Sequence, residues 1–380
     1  MQKRTLLPVA LAGLSALSLA TATAQAKKET SISQEKPTKA SSTSSDPEAE
    51  VVGSINGKPA FTFGQFLAKF QRDNPPAFSA AVSSAIGSKA VASFFGPKAA
   101  SSFTISKKEL FSLMRKAPAQ SLGSALGNYL SDQVLQETGT KAGAAPSDAQ
   151  LDDFLNFLLR KARKEPNAGF TPGQTDEQFL KARNLTRAGV KKTLRTQQLI
   201  FNLLTTQMEG DLKHKLKPED FVQARHILIK ADPITDKSTP EQKKADADAL
   251  AKITDIAAQI QSGKITFEKA AMDYSADGSA KTGGDLGIFM DDNTMVKVFQ
   301  DAAFSQKPNE ISKPVRSEFG YHLIQVTKAG KEISEDDRHD ALIKRFQPKI
   351  GLFVATLSQN AKIVNKLMPP REMMMPGDGQ

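Results

Sequence analysis

The chain has 380 residues, with 51 Lys plus Arg against 41 Asp plus Glu, four His, no Cys and no Trp. At roughly 100–200 residues per domain, this length predicts two domains, each large enough for its own core. The missing cysteines exclude a disulfide framework, a thiolate nucleophile, an iron–sulfur cluster and a Cys-ligated zinc site.

Lys3 and Arg4 precede an apolar run from Leu6 to Leu19, which gives way to small residues ending Ala24-Gln25-Ala26. Those are the three parts of a secretory signal peptide over 1–26, with cleavage expected after Ala26. The run contains Pro8 and Gly13 and falls short of the ~20 residues needed to span a bilayer. Residues 27–50 are rich in Ser, Thr, Lys and Glu and read as a disordered linker, because they cannot bury enough apolar surface to offset ordering.

Residues 51–217 predict a helical, basic module. Val51, Val52 and Ile55 read as a short strand, Asn56-Gly57 as a turn, and Thr62 as the cap of a helix bearing Phe63, Phe66, Leu67 and Phe70. The Ala- and Ser-rich stretch 77–102, broken at Phe94-Phe95-Gly96-Pro97, fits either a weak helix pair or a loop. Leu122, Leu126, Leu130 and Val134 then share a helical face that stops before Gly139. Leu151, Phe154, Leu155, Leu158 and Leu159 form the next stripe, after a cap at Ser147-Asp148. A third helix is expected from Thr175 to Ala188, and a fourth from near Gly189 with Val190, Leu194, Leu199, Ile200, Leu203 and Leu204. These stripes are core faces.

The net charge of +10 is concentrated in this module. Residues 51–217 hold 23 basic and 12 acidic side chains, whereas 218–328 hold 14 and 17, a change of sign that marks a domain boundary. The basic runs at 160–164 and 187–195 read as solvated faces, open to acidic client chains or anionic lipid. They lack the aromatic interleaving or motif of a nucleic-acid binder, so no nucleic acid is expected.

From Pro218 the texture changes. FVQARHILIK (221–230) has the pattern of a buried strand. Thr239-Pro240 starts a helix with Leu250, Ile253, Ile256 and Ile260, ending at Ser262-Gly263, and a short helix holds Phe267, Ala270, Ala271 and Tyr274. The glycine-rich run YSADGSAKTGGDLGIF (274–289) lacks the Gly-Lys-Ser/Thr ending of a phosphate-binding loop. Met295 and Phe299, four apart, are expected on one helical face. The region closes on two strands around Glu318-Phe319-Gly320.

ARHILIK, YSADGSAKTGGDLG, MVKVFQDAAF (295–304) and FGYHLIQV (319–326), in that order, resemble a parvulin-type, PpiC-like peptidyl-prolyl isomerase. More loosely, the whole chain resembles the exported SurA-type and PrsA-type foldases. The resemblance implies an α+β fold: a helical chaperone-like module with an inserted parvulin domain, a four-stranded mostly antiparallel sheet surrounded by helices. It implies strands near 222–230, 285–290, 312–316 and 320–327. It places His226 and His322 on adjacent strands, and Asp277 where parvulins carry Cys or Asp. These three suit a catalytic polar network, although the imidazoles can equally serve as structural support for the sheet. Leu286, Met295, Phe299 and Phe319 match the proline pocket.

No metal and no cofactor is expected, and His214 and His339 read as surface residues outside any motif. The residues after Lys230 include Asp232 and Asp236 and no Arg pair, so phosphorylated residues before proline are not the expected substrate. The expected partners are unfolded or partly folded exported polypeptides, outer-membrane proteins among them, with peripheral membrane contact. A non-catalytic holdase is the alternative. Residues 331–368, with an acidic start at Ser334, an apolar face interrupted at Pro348 and a strand over 361–367, are expected to return to and complete the helical module. The isomerase domain then spans 218–330, and 369–380 is a frayed tail.

Overall fold

The computed structural model describes residues 48–86 and 119–368. The signal peptide expected over 1–26, most of the expected 27–50 linker, the later part of 77–102 and the tail expected over 369–380 lie outside the described residues. Two compact units divide the chain between Leu203 and Leu204 and again between Phe346 and Gln347.

In the first unit, β1 (Val51–Ile55) and β2 (Lys58–Thr62) form a hairpin. Its turn residues Asn56 and Gly57 both take positive φ, as a tight two-residue turn requires. β2 ends at Thr62, whose hydroxyl accepts from Gln65 N while its own N–H reaches the Gln65 side chain. This reciprocal cap starts α1 (Phe63–Asp73), which buries Phe63, Phe66, Leu67 and Phe70. Residues Pro75–Ile86 are helical (α2), so the first part of the Ala/Ser-rich stretch is helix.

α3 (Ala119–Lys141) buries Leu122, Leu126, Leu130 and Val134 as expected, but runs through Gly139 rather than stopping before it. A Cβ at Gly139 would lie 2.2 Å from Leu199 Cδ1, so this glycine serves close packing and does not end the helix. α4 (Asp148–Lys164) starts from a capping box at Ser147. The helix expected over 175–188 is two elements. α5 (Asp176–Lys181) stops where the chain turns through a left-handed Asn184, and α6 (Arg187–Leu212) starts afresh with Thr186 Oγ1 accepting from Gly189 N.

The basic stripe of α6 is not simply solvated. Arg187 bonds Asn156 at 2.6 Å, Lys191 meets Asp152 at 2.8 Å and Arg195 meets Asp148 at 3.3 Å. The closing strand is short. β7 (Val364–Asn365) adds antiparallel to the free edge of β1, giving the order β2-β1-β7, and a left-handed Lys362 limits its start.

The second unit holds β3 (Phe221–Lys230), α7 (Pro240–Gln261), α8 (Phe267–Tyr274), β4 (Asp285–Met290), α9 (Lys297–Phe304), β5 (Val315–Ser317) and β6 (Gly320–Ala329). It ends in the first part of α10 (Glu335–Asn360). The sheet order is β4-β3-β6-β5, antiparallel throughout.

Strand alternation splits the side chains into two layers. Ile227, Ile229, Tyr321 and Leu323 pack against Ile253, Ile256 and Phe267 of the covering helices. Val222, Ala224, Ile324 and Val326 pack with Phe289, Phe299 and Ala303 on the other face. The third strand lies at 315–317 instead of 312–316: Pro314 has no N–H to donate, and an isolated bridge at Ile311 with a bond from Ser312 N to Ile324 O precedes it. α9 starts at Lys297, so Met295 precedes the helix instead of lying on it. The chain is α+β, and among the described residues no helix is long and apolar enough to cross a membrane.

Candidate active site

The parity of β3 and β6 sends His226 and His322 to the face that carries Phe299. Both imidazoles are buried, and their Nδ1 atoms face each other at 3.2 Å. The Phe299 ring stands edge-on to both, with centroids 5.5 Å from His226 and 5.3 Å from His322. Two buried histidines therefore share one apolar wall and one hydrogen bond.

The loop after α8 supplies the third group. Ser275 Oγ accepts from Leu228 N and Asp277 N, and Ala276 N donates to Leu228 O at 2.8 Å, tying this loop to β3. Asp277 Oδ1 accepts the amide of Ser279 at 2.8 Å and its hydroxyl at 2.6 Å. The same oxygen lies 3.1 Å from His226 Nε2, an ion-pair distance outside hydrogen-bond direction. Gly284 closes the approach: His226 N donates to its carbonyl at 2.9 Å, and a Cβ there would fall 2.2 Å from His226 O. With φ of +79° as well, only glycine fits.

Burial pushes the Asp277 carboxyl upward, but the Ser279 hydroxyl and amide and the neighbouring His226 outweigh it and hold the group well below the usual carboxylate range. Burial lowers His322 from 6.5 to about 4, with His226 and Arg316 adding to the shift and Asp277 opposing it. At neutral pH the site therefore combines an anionic Asp277 with a neutral His322.

With His322 neutral, one order of protons that satisfies the remaining hydrogen bonds has its Nδ1–H donate to His226 Nδ1. His322 Nε2 then accepts from the Ser317 hydroxyl at 2.7 Å, and Ser317 Oγ accepts from Phe319 N at 3.1 Å.

The structure thus brings His226, His322, Asp277 and Phe299 together. Leu286 and Met295 are half-buried and pack on the same apolar cluster as Phe299. Phe319 does not join that cluster; the residue is 53% exposed on the β5–β6 turn. His214 is more than a surface residue, since its Nε2 meets both carboxylate oxygens of buried Asp220 at 3.0 and 3.1 Å. His339 is half-buried on α10.

Sequence reasoning missed Ser275, Ser279 and Ser317. The Asp-x-Ser spacing of 277–279 is an Asx-turn signal that could have found Ser279. Ser317 becomes visible only once β5 and β6 are paired.

The family described as the PPIC-type PPIASE domain matches residues 211–330. Foldase protein PrsA 1 of Bacillus cereus is 36% identical over 167 residues, covering 42% of this chain and 50% of the relative. Chaperone SurA of Salmonella choleraesuis is 44% identical over 111 residues, covering 29% of this chain and 24% of the relative. Among solved structures, the parvuline of Nitrosopumilus maritimus is 37% identical, covers 29% of this chain and 97% of its own, and overlays with a TM-score of 0.22. The chain therefore spans half or less of the length of these two curated relatives. Residues 211–330 of this chain belong to the PpiC-type family of peptidyl-prolyl isomerases.

Proposed function

We propose that this chain is a foldase that catalyses cis–trans isomerisation of X–Pro bonds in unfolded exported polypeptides. The supporting observation is a buried hydrogen bond between His322 and His226, next to Asp277 and against the apolar cluster of Leu286, Met295 and Phe299.

An X–Pro amide turns over a barrier of ~18–20 kcal/mol that arises from amide resonance. No bond to the substrate breaks, so no nucleophile is required. In our reading Leu286, Met295 and Phe299 receive the proline ring and exclude water, with Phe319 at the rim. Twisting the amide removes resonance and raises the lone-pair character of its nitrogen. A polar network held in one protonation order favours that twisted state without reorganising during the reaction.

We further propose that 51–217 and 331–368 form one discontinuous client-binding module, with 218–330 as an inserted isomerase domain. The antiparallel pairing of β7 with β1 supports this organisation, as do the bonds from Lys366 N to Val52 O and from Asn56 N to Ala361 O. Export through a signal peptide cleaved after Ala26, residence in the periplasm and clients that include outer-membrane proteins complete the proposal.

Refolding of a proline-limited protein is the test. Acceleration at substoichiometric concentration, reduced by Phe299→Ala, is expected. Binding of unfolded chains without acceleration would replace the isomerase with a holdase.

A further inference from the structure

The segment joining β4 to α9, residues 291–296, carries Met295 onto the apolar cluster read above as the proline slot, and the present inference rests on that reading. Two neighbouring aspartates anchor the segment in different directions. Asp291 N donates to Asp220 O at 3.1 Å, and its carboxylate accepts from the Gln300 amide at 2.6 Å. Gln300 is 2% exposed and adjoins Phe299 on α9, so this bond fixes the segment against the helix that follows.

Asp292 faces elsewhere. Its side chain is 6% exposed, one oxygen accepts from the amide and hydroxyl of Thr294, and the other meets Arg345 Nε at 2.6 Å. A carboxylate that is buried to this degree needs its counter-charge, unlike the partners of an exposed surface pair. Arg345 lies on α10, beyond the stretch 211–330 that matches the isomerase family. The residue that neutralises Asp292 is therefore contributed from outside the family domain.

We propose that Arg345 is a positioning residue for the proline slot: its guanidinium holds Asp292, Asp292 holds the Thr294 turn, and that turn sets Met295 against the Phe299 cluster. The closing helix thus supplies part of the site's geometry, and the isomerase domain cut at 330 lacks it.

The full chain tests this with Arg345→Ala, Arg345→Lys and the double variant Arg345→Ala with Asp292→Asn. The readouts are the Met295 methyl resonance and the separate KM and kcat on an X–Pro peptide. Arg345→Ala should move the Met295 resonance and lower kcat/KM by about tenfold, chiefly through KM, as expected when a binding group is displaced from the reacting bond. Arg345→Lys should recover most of both readouts. The double variant should also recover them, because the substituted amide carries no charge and its oxygen still accepts from Thr294. If Arg345→Ala does not fold, Arg345→Met, which keeps the packing of the side-chain stem but no charge, carries the test on the same two readouts.

An unmoved Met295 resonance with unchanged KM overturns the proposal. So does a loss in Arg345→Ala that neither Arg345→Lys nor the double variant relieves. Full activity in Phe299→Ala would instead sink the slot reading, while the Met295 resonance still reports whether Arg345 places the segment.

Discussion

The Nδ1 atoms of His226 and His322 face each other at 3.2 Å across β3 and β6, so one donates and the other accepts. The pairing holds only while at least one of the two is neutral. His322, lowered from 6.5 to about 4 mainly by burial, takes up a proton in the unfolded chain before it does in the folded one. Between those two values the unfolded state binds more protons, so stability falls as pH drops. Denaturant midpoints should decrease steadily from pH 7 to pH 4.5, and His322→Gln should flatten that slope. The depressed Asp277 adds its own loss only below the ordinary carboxylate value of 3.8. A midpoint that stays constant down to pH 4.5 in the native sequence contradicts a buried, neutral His322.

Ser317 supplies the hydroxyl at one end of the chain and is 7% exposed. Ser317→Ala leaves both His322 Nε2 and Phe319 N without this partner, and should cost about 1–3 kcal/mol in unfolding free energy. Ser317→Thr keeps the hydroxyl and should stay near the native sequence in stability and isomerase rate. Equal behaviour of the two variants would remove Ser317 from the network.

At the other end, Asp277→Asn separates charge from geometry. An asparagine oxygen can still accept from Ser279, so the loop should persist while the anion beside His226 is lost. Isomerisation should drop by about tenfold or more, in the range seen when a preorganised polar group is removed. The assay is a proline-limited refolding rate with folding checked by circular dichroism. Unchanged catalysis in Asp277→Asn would show that only the cap matters.

Gly284→Ala is expected to be costly. The new methyl would meet His226 O at 2.2 Å in a left-handed backbone, and strain with overpacking should cost about 3 kcal/mol. Urea unfolding measures it directly. A loss well under 1 kcal/mol would mean that β4 shifts freely beside β3.

Ending the chain after residue 330 removes Arg345 and leaves Asp292 buried without its counter-charge. Breaking such a pair should cost about 3–5 kcal/mol, so a 211–330 fragment should be less stable than the same fragment with Asp292→Asn. Thermal unfolding of the two fragments side by side gives the answer.

Local chemistry made much of this fold legible. The alternation of FVQARHILIK and the Thr239-Pro240 cap coincide with the limits of β3 and α7, and Thr62 and Ser147 start their helices where their side chains predict. Motif order was enough to bring His226, His322 and Asp277 into one site. What stayed hidden depends on contacts between distant residues. Gly139 looks like a helix stop until Leu199 is packed over it. Arg345 looks like any helix-surface cation until Asp292 is beneath it. The start of α9 after Met295, and the placement of β5 around Pro314, follow from backbone geometry that side-chain periodicity does not encode.

The pairing of β1 with β7 joins Gly53 to Asn365, near opposite ends of the described chain. A chain delivered amino end first would expose the β1 edge, with only β2 beside it, until nearly all the rest had emerged. The first unit would then be the last to close, and the isomerase domain could fold ahead of it. Newly delivered copies would meanwhile present an open strand edge, the kind of surface that invites pairing with another extended chain.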